Sequence, residues 1–132
     1  MIQSIVPKWM GPLSQWQSHI DLIKKSGYNM IHFAPIQQRG GSDSPYSIHD
    51  QLLFADDLFH SKQSNDSNNN NNGKDEEEEY VIVLPERQER IELVRSVLND
   101  IQTKHGIMCL SDVVWNHTSY DSPFLNDHPD AG

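Results

Sequence analysis

Ile107-Met108-Cys109-Leu110-Ser111-Asp112-Val113-Val114-Trp115-Asn116-His117-Thr118 is the stretch on which the fold turns. Its apolar first half reads as a strand over 107–114, buried on both faces as strands of a parallel sheet are. Asp112 then falls at the strand's end, with Asn116 and His117 just past it. In a parallel sheet wrapped by helices, ligands are gripped at the carboxyl ends of the strands. Polar side chains there have a reason to exist that core packing does not supply.

Working back from this strand, the hydrophobic period alternates between that of strands and that of helices. Residues 2–7 read as a short opening strand. Gly11-Pro12 opens a helix with proline at its favoured first position. Leu13, Trp16, Ile20 and Ile23 recur at helical spacing, Lys24 and Lys25 suit the last turn, and Gly27 stops it. Residues 29–36 read as a second strand. A second helix runs from about Pro85 to His105, with Ile91, Val94, Leu98 and Ile101 as its stripe, Leu93 and Val97 widening it, and Gly106 at its end. The order β-α-β-loop-α-β predicts an α/β fold with a parallel sheet and right-handed crossovers. Three such strands are part of a larger unit, since a closed barrel has eight strands and about 250 residues.

The connection after Ile36 is longer than the roughly 12–15 residues that a structureless loop normally reaches. Its first part, 37–59, carries Tyr46, Ile48, Leu52, Leu53, Phe54, Leu58 and Phe59, enough apolar surface to fold back on the sheet. Its second part, about 60–80, is a low-complexity asparagine and glutamate insertion. Residues 61–79 contain no apolar side chain, so they cannot offset the entropy of being ordered and are predicted to be disordered. Tyr80 to Leu84 could add a turn or strand before the second helix. The insertion holds six acids against two lysines, a large share of the net charge of −9, so the rest of the chain is only mildly acidic. The scattered Lys and Arg form no basic stripe, which argues against a nucleic-acid partner. No apolar run approaches the roughly 20 residues that span a bilayer, and the start lacks the features of a signal peptide. Neither a membrane nor secretion is expected, and a cytoplasmic location is the default. The single cysteine, Cys109, reads as a small buried hydrophobe.

Three stretches carry a resemblance: Gly27-Tyr28-Asn29-Met30-Ile31-His32-Phe33-Ala34-Pro35-Ile36-Gln37, Ser44-Pro45-Tyr46-Ser47-Ile48, and Ser111 to Thr118. Together they closely resemble the amylase-like glucanotransferase domain of eukaryotic glycogen debranching enzymes, within the α-amylase family. The resemblance covers nearly all of the chain outside 60–80. It implies a partial (β/α)8 TIM barrel, residues 1–132 forming its first three parallel strands and two helices. It also implies roles. Asp112 would lie at the floor of the sugar site, and His117 would hydrogen-bond hydroxyls of one glucosyl unit. Tyr46 would stack on that sugar's ring. Asn116 would support the loop after the third strand, at a position that binds calcium in many amylases. Amylases usually place glycine before the stacking tyrosine; here it is Pro45.

Weighed singly, these residues are ordinary. An Asp at a strand end often only caps a loop, a lone His is more often structural, and a lone Tyr anchors a loop as readily as it binds. The spacing of Asp112, Asn116 and His117 after one strand is what favours a site. His32, read as satisfied within a buried strand, is left out of it, and Trp9 and Trp16 read as packing residues. Asp121, Asp127, Asp130 and His128 are too irregularly spaced for a metal, and neither metal nor cofactor is expected.

Retaining glycosidic chemistry needs two carboxyl groups about 5–5.5 Å apart. The family draws these from later strands, so no catalytic residue is assigned here and the chain alone is expected to be inactive. The resemblance implies a 4-α-glucanotransferase that moves α-1,4-linked maltooligosaccharides between chains, in a parent enzyme that also acts as an amylo-α-1,6-glucosidase in glycogen breakdown. Its partners would be glycogen and α-1,4/α-1,6-glucan oligosaccharides. The competing readings are a non-catalytic α-glucan-binding module and another amylase-type hydrolase.

Overall fold

The computed structural model describes residues 1–59 and 85–131. The asparagine and glutamate insertion and the Tyr80–Leu84 segment lie outside these residues. The scaffold is a parallel three-stranded sheet of β1 (Ile2–Ile5), β2 (Met30–Phe33) and the strand Met108–Ser111, in that order across the sheet. Helix α1 (Trp16–Lys25) connects the first pair, and α2 (Arg87–His105) precedes the last strand. Between β2 and α2 the chain forms an antiparallel hairpin of β3 (Gln37–Arg39) and β4 (Ile48–Phe54). The last sheet strand is therefore β5. A short helix, α3 (Pro123–Asp127), follows it.

Strand order follows chain order and both helices lie on one face, the arrangement of a barrel whose helices ring its outside. On that face Ile31 and Phe33 of β2 are buried against Trp16, Ile20 and Ile23 of α1, Ile101 of α2 and Ile107. Trp16 stacks on Phe33 with ring centroids 5.2 Å apart, and its indole N–H donates to the Gly11 carbonyl at 2.9 Å. The ring thus buries its apolar area while its one donor stays satisfied.

The helix ends follow from local chemistry. In α1 the last carbonyls are met by Ser26, whose hydroxyl donates to Leu22 O, and Gly27 takes a positive φ of 84°. Gly106 ends α2 in the left-handed region, which glycine enters without a Cβ clash. The start of α1 departs from the sequence reading. Pro12 is extended and caps a single 3-10 turn, Leu13–Gln15, and the α-helix begins only at Trp16.

Four other expectations are corrected. The last strand spans Met108–Ser111, not 107–114, because the chain turns away at Asp112 to meet the hairpin. It is also not buried on both faces: Met108 is 52 % and Leu110 42 % exposed, on the side away from the helices. In a closed barrel that side would face the interior, and among the described residues three strands leave it open. Leu93 on α2 is 41 % exposed and Trp9 is 78 % exposed, so neither packs in the core as its residue type suggested.

The two faces make opposite predictions for stability. Phe33→Ala removes the ring against which Trp16 stacks, and is expected to cost about 3–5 kcal/mol in urea unfolding. Leu110→Ser on the open face is expected to change stability by no more than about 0.5 kcal/mol.

Candidate functional site

Side chains alternate along a strand, so the register between strands decides which of them meet. His32 pairs with Leu110 across β2 and β5 and with Ser4 across β1. Phe33 pairs with Ser111, and the Asp112 amide then donates to the Phe33 carbonyl at 3.0 Å. Asp112, two residues after Leu110, therefore shares the open face with His32 and Ser4. His32 Nε2 donates to Asp112 Oδ1 at 2.7 Å, and the Ser4 hydroxyl lies 3.3 Å from His32 Nδ1. The other carboxylate oxygen, Oδ2, accepts from the Tyr46 hydroxyl at 2.8 Å. Ser4, His32, Asp112 and Tyr46 thus form one chain of hydrogen bonds along the carboxyl ends of the strands.

Tyr46 reaches Asp112 because the hairpin is bolted to the loop after β5. The tip turns through Ser44-Pro45-Tyr46-Ser47, closed by the Ser47 amide donating to Ser44 O at 3.0 Å. Proline suits the second position of such a turn, which accounts for Pro45 where amylases usually carry glycine. The Thr118 hydroxyl and the Ser119 amide both donate to the Ile48 carbonyl at 2.7 Å. The Gly41 amide donates to Asp121 Oδ2 at 2.9 Å, and the Ser122 hydroxyl to His49 O at 2.6 Å. Gly40 lies so close to this loop that a Cβ there would sit 1.9 Å from Ser119 Oγ. Ion pairs of Asp43 with Lys8 and Arg39, and of Arg39 with Asp57, hold the outer side of the hairpin.

His117 closes the site. Its Nε2 donates to the Tyr46 carbonyl at 3.0 Å, and its Nδ1 lies 3.0 Å from the Asn116 side-chain oxygen. All four residues singled out in the sequence, Tyr46, Asp112, Asn116 and His117, are thus brought together. His32 is the addition. Its imidazole is satisfied as foreseen, but by Asp112 itself and on the open face. Its signal in the sequence was the alternation Met30-Ile31-His32-Phe33, which sets it opposite the two buried residues.

Electrostatics follow the bonding. The hydrogen bonds from His32, and then from Tyr46, hold the Asp112 carboxyl below the usual carboxylate range. The bond to Asp112 pushes the Tyr46 hydroxyl up. Burial pushes the Cys109 thiol up, which keeps it an inert packing group. Among the described residues no group of three or more His, Cys, Asp or Glu side chains gathers as a metal would need. The Asn116 side chain faces the His117 ring.

The described fold superposes on solved amylase-type enzymes. An α-amylase from Lactobacillus plantarum superposes with a TM-score of 0.62 at 19 % identity, over 98 % of this chain and 26 % of its own. A trehalose-6-phosphate hydrolase from Bacillus licheniformis gives 0.61 at 19 %, over 96 % of this chain and 19 % of its own. The fold is therefore that of the α-amylase-type (β/α) barrel, represented here by a part. Sequence narrows the class. A family profile described as the glucanotransferase domain of glycogen debranching enzyme matches residues 1–132. The glycogen debranching enzyme of Saccharomyces cerevisiae is 37 % identical over 131 residues. The chain belongs to the family of glycogen debranching enzyme glucanotransferase domains. It spans 6 % of the length of the yeast relative.

Two outcomes are expected. In an NMR titration, Asp112 ionises below the ordinary carboxylate value of about 3.9, and Tyr46→Phe or His32→Ala moves it back up. Because its folded pKa is depressed, its contribution to stability is complete above about pH 4 and disappears as pH falls through the folded value. Gly40→Ala forces the hairpin away from Ser119, costing about 1–3 kcal/mol. Greater amide exchange at Ser119 would report the separation.

Proposed function

We propose that this chain supplies part of a 4-α-glucanotransferase site and holds one glucosyl unit of an α-1,4-linked glucan. One observation carries the reading: a carboxylate gripped by Tyr46 and His32 at the carboxyl end of β5, in a glucanotransferase-domain family. Each Asp112 oxygen already accepts one hydrogen bond. A carboxylate offers about four lone-pair sites, so capacity remains for about two sugar hydroxyls. A pyranose also offers a face of C–H bonds, which the Tyr46 ring receives, while Asn116 meets its hydroxyl edge and His117, bonded to the Tyr46 carbonyl, holds that ring in place. These are roles in binding and positioning.

The transfer itself belongs to the whole enzyme. As in other retaining transglycosylations, one carboxylate would attack the anomeric carbon and a second would protonate the departing oxygen, before a new 4-hydroxyl takes the glycosyl group. Three acids at or near the proposed site already accept hydrogen bonds within the chain. Asp112 is tied to His32 and Tyr46, Asp121 to the Gly41 amide, and Asp50 to the Leu52 amide at 2.7 Å. We therefore assign the catalytic pair to chain outside these 132 residues, which act as a segment of the glucanotransferase barrel with the 60–80 stretch inserted. The parent enzyme would move maltooligosaccharides between glycogen chains and hydrolyse the α-1,6 branch point in cytoplasmic glycogen breakdown.

The test separates binding from chemistry. The 132-residue chain is expected to bind maltoheptaose and to leave its length unchanged on incubation, as read by chromatography of the sugars. Tyr46→Ala and His117→Ala are each expected to weaken binding about tenfold, which is about 1.4 kcal/mol. Redistribution of chain lengths by this protein would refute the division of roles; binding indifferent to both substitutions would refute the site.

A further inference from the structure

We propose that Ser4, His32 and Asp112 form a second reactive centre in this chain, at which the Ser4 hydroxyl attacks small uncharged esters. Ser4 and His32 are its catalytic residues, and Asp112 positions the base. The inference does not depend on glucan binding.

The three side chains stand in the order nucleophile, base, orienting carboxylate. His32 Nε2 lies 2.7 Å from Asp112 Oδ1. An ionised carboxylate can only accept, so Nε2 carries the proton of the neutral imidazole. The ring's lone pair is therefore on Nδ1, and the Ser4 hydroxyl, 3.3 Å away, is placed to donate to it. Catalytic hydrogen bonds are often long before substrate arrives. Serine hydrolases use the ring the other way round, with Nε2 toward the hydroxyl, but the connectivity is the same. Here the register supplies it: Ser4 pairs with His32 across β1 and β2, and both share the open face with Asp112.

Attack on an ester also needs a donor for the oxyanion that develops. In a parallel strand, alternate residues send both backbone groups toward one neighbour. The Met1 and Ile5 carbonyls accept from the Asn29 and Ala34 amides at 3.2 and 2.9 Å, so the odd residues of β1 face β2. Ser4 faces the other edge, where its carbonyl accepts from the Gln3 side chain at 3.2 Å and no strand pairs among the described residues. Its N–H is thus left to meet an oxyanion formed on its own side chain. Ser4 is exposed, and Ile2 and Leu110 on the same face are exposed too, apolar surface for a short acyl group. In the first step Ser4 Oγ bonds to the acyl carbon as its proton passes to His32 Nδ1. The ester C–O bond breaks, and the alcohol leaves with that proton. Water, giving its proton to Nδ1, then displaces Oγ, and the proton returns to the Ser4 hydroxyl. In both steps the imidazolium faces the Asp112 carboxylate, which the bonds from His32 and Tyr46 keep ionised.

The test is hydrolysis of p-nitrophenyl acetate by the 132-residue chain, read as release of p-nitrophenol with no glucan present. Ser4→Ala and His32→Gln are each expected to lower the rate about 100-fold. Acid quenching during turnover is expected to leave the acetyl group on Ser4, located by peptide mass. Asp112→Asn is expected to slow the reaction and to redistribute the His32 proton between the ring nitrogens, read from their NMR shifts, which a loss of packing alone would not do. Ser4 is exposed on an edge strand, so Ser4→Ala is expected to keep the fold, and an unchanged far-UV spectrum verifies it. A rate indifferent to Ser4→Ala overturns the proposal, and so does acetyl found only on lysines or the α-amine. A rate that survives Ser4→Ala but falls with His32→Gln makes the imidazole the nucleophile and overturns it as well.

Discussion

The register between β2 and β5 is the constraint on which the site depends. Pairing Phe33 with Ser111 lets the Asp112 amide bond the Phe33 carbonyl one residue past the strand, which fixes where that aspartate leaves the sheet. Slipping the pairing by one residue would exchange the two faces of β5. Asp112 would then turn toward the helices, and its carboxylate would meet apolar surface instead of His32 and Tyr46. The register is in turn enforced from the other face. Ile31 and Phe33 are buried under α1 and α2, and the Trp16–Phe33 stack admits only one face of β2. The apolar side of the sheet thus specifies the polar side without touching it.

The hairpin adds a second level of positioning. Tyr46 stands on a turn, the least rigid place from which to present a ring, yet its neighbours are tied down by backbone groups. Ile48 O takes two donors from the loop after β5, and Gly41 N reaches Asp121. In each of these bonds the hairpin contributes a main-chain group, so residue type matters only on the partner side, at Thr118 and Asp121. The absent side chain of Gly40 allows the two loops to come within bonding distance. A site assembled from loops gains its order from such cross-links rather than from either loop alone.

The sequence disclosed the scaffold where one period dominated. Gly27 and Gly106 marked the helix ends, and the second helix was placed within two residues of its true start. The hairpin escaped because register shifts between Gln37, Gln38 and Arg39 break the period of two. A bulged strand leaves no alternation to read. The overextended last strand had a different cause. Val113 and Val114 continue the apolar run, and nothing local shows that the chain bends toward Ile48. Trp9 and Leu93 failed for a third reason: residue type sets the benefit of burial but not whether a neighbour is present to provide it. His32 shows the limit for the site. Its partner is 80 residues away in the chain, and only the register brings them together.

The bonding of Asp112 bears on what the site is for. A nucleophilic carboxylate must approach an anomeric carbon with a lone pair and little to hold it back. Asp112 is the opposite, with one donor on each oxygen, and these bonds hold its carboxyl below the usual carboxylate range. Donors that stabilise the anion lower its basicity, and with it its usefulness as an attacking group or a proton shuttle. They also lock its plane, so the remaining lone pairs point in fixed directions at no cost in order when a ligand arrives. Firm acceptance of hydroxyls is a positioning task, and in transglycosylation a sugar displaced by an ångström loses its in-line approach. The bonding of Asp112, one donor on each oxygen, thus suits the holding role proposed for it rather than that of a nucleophile.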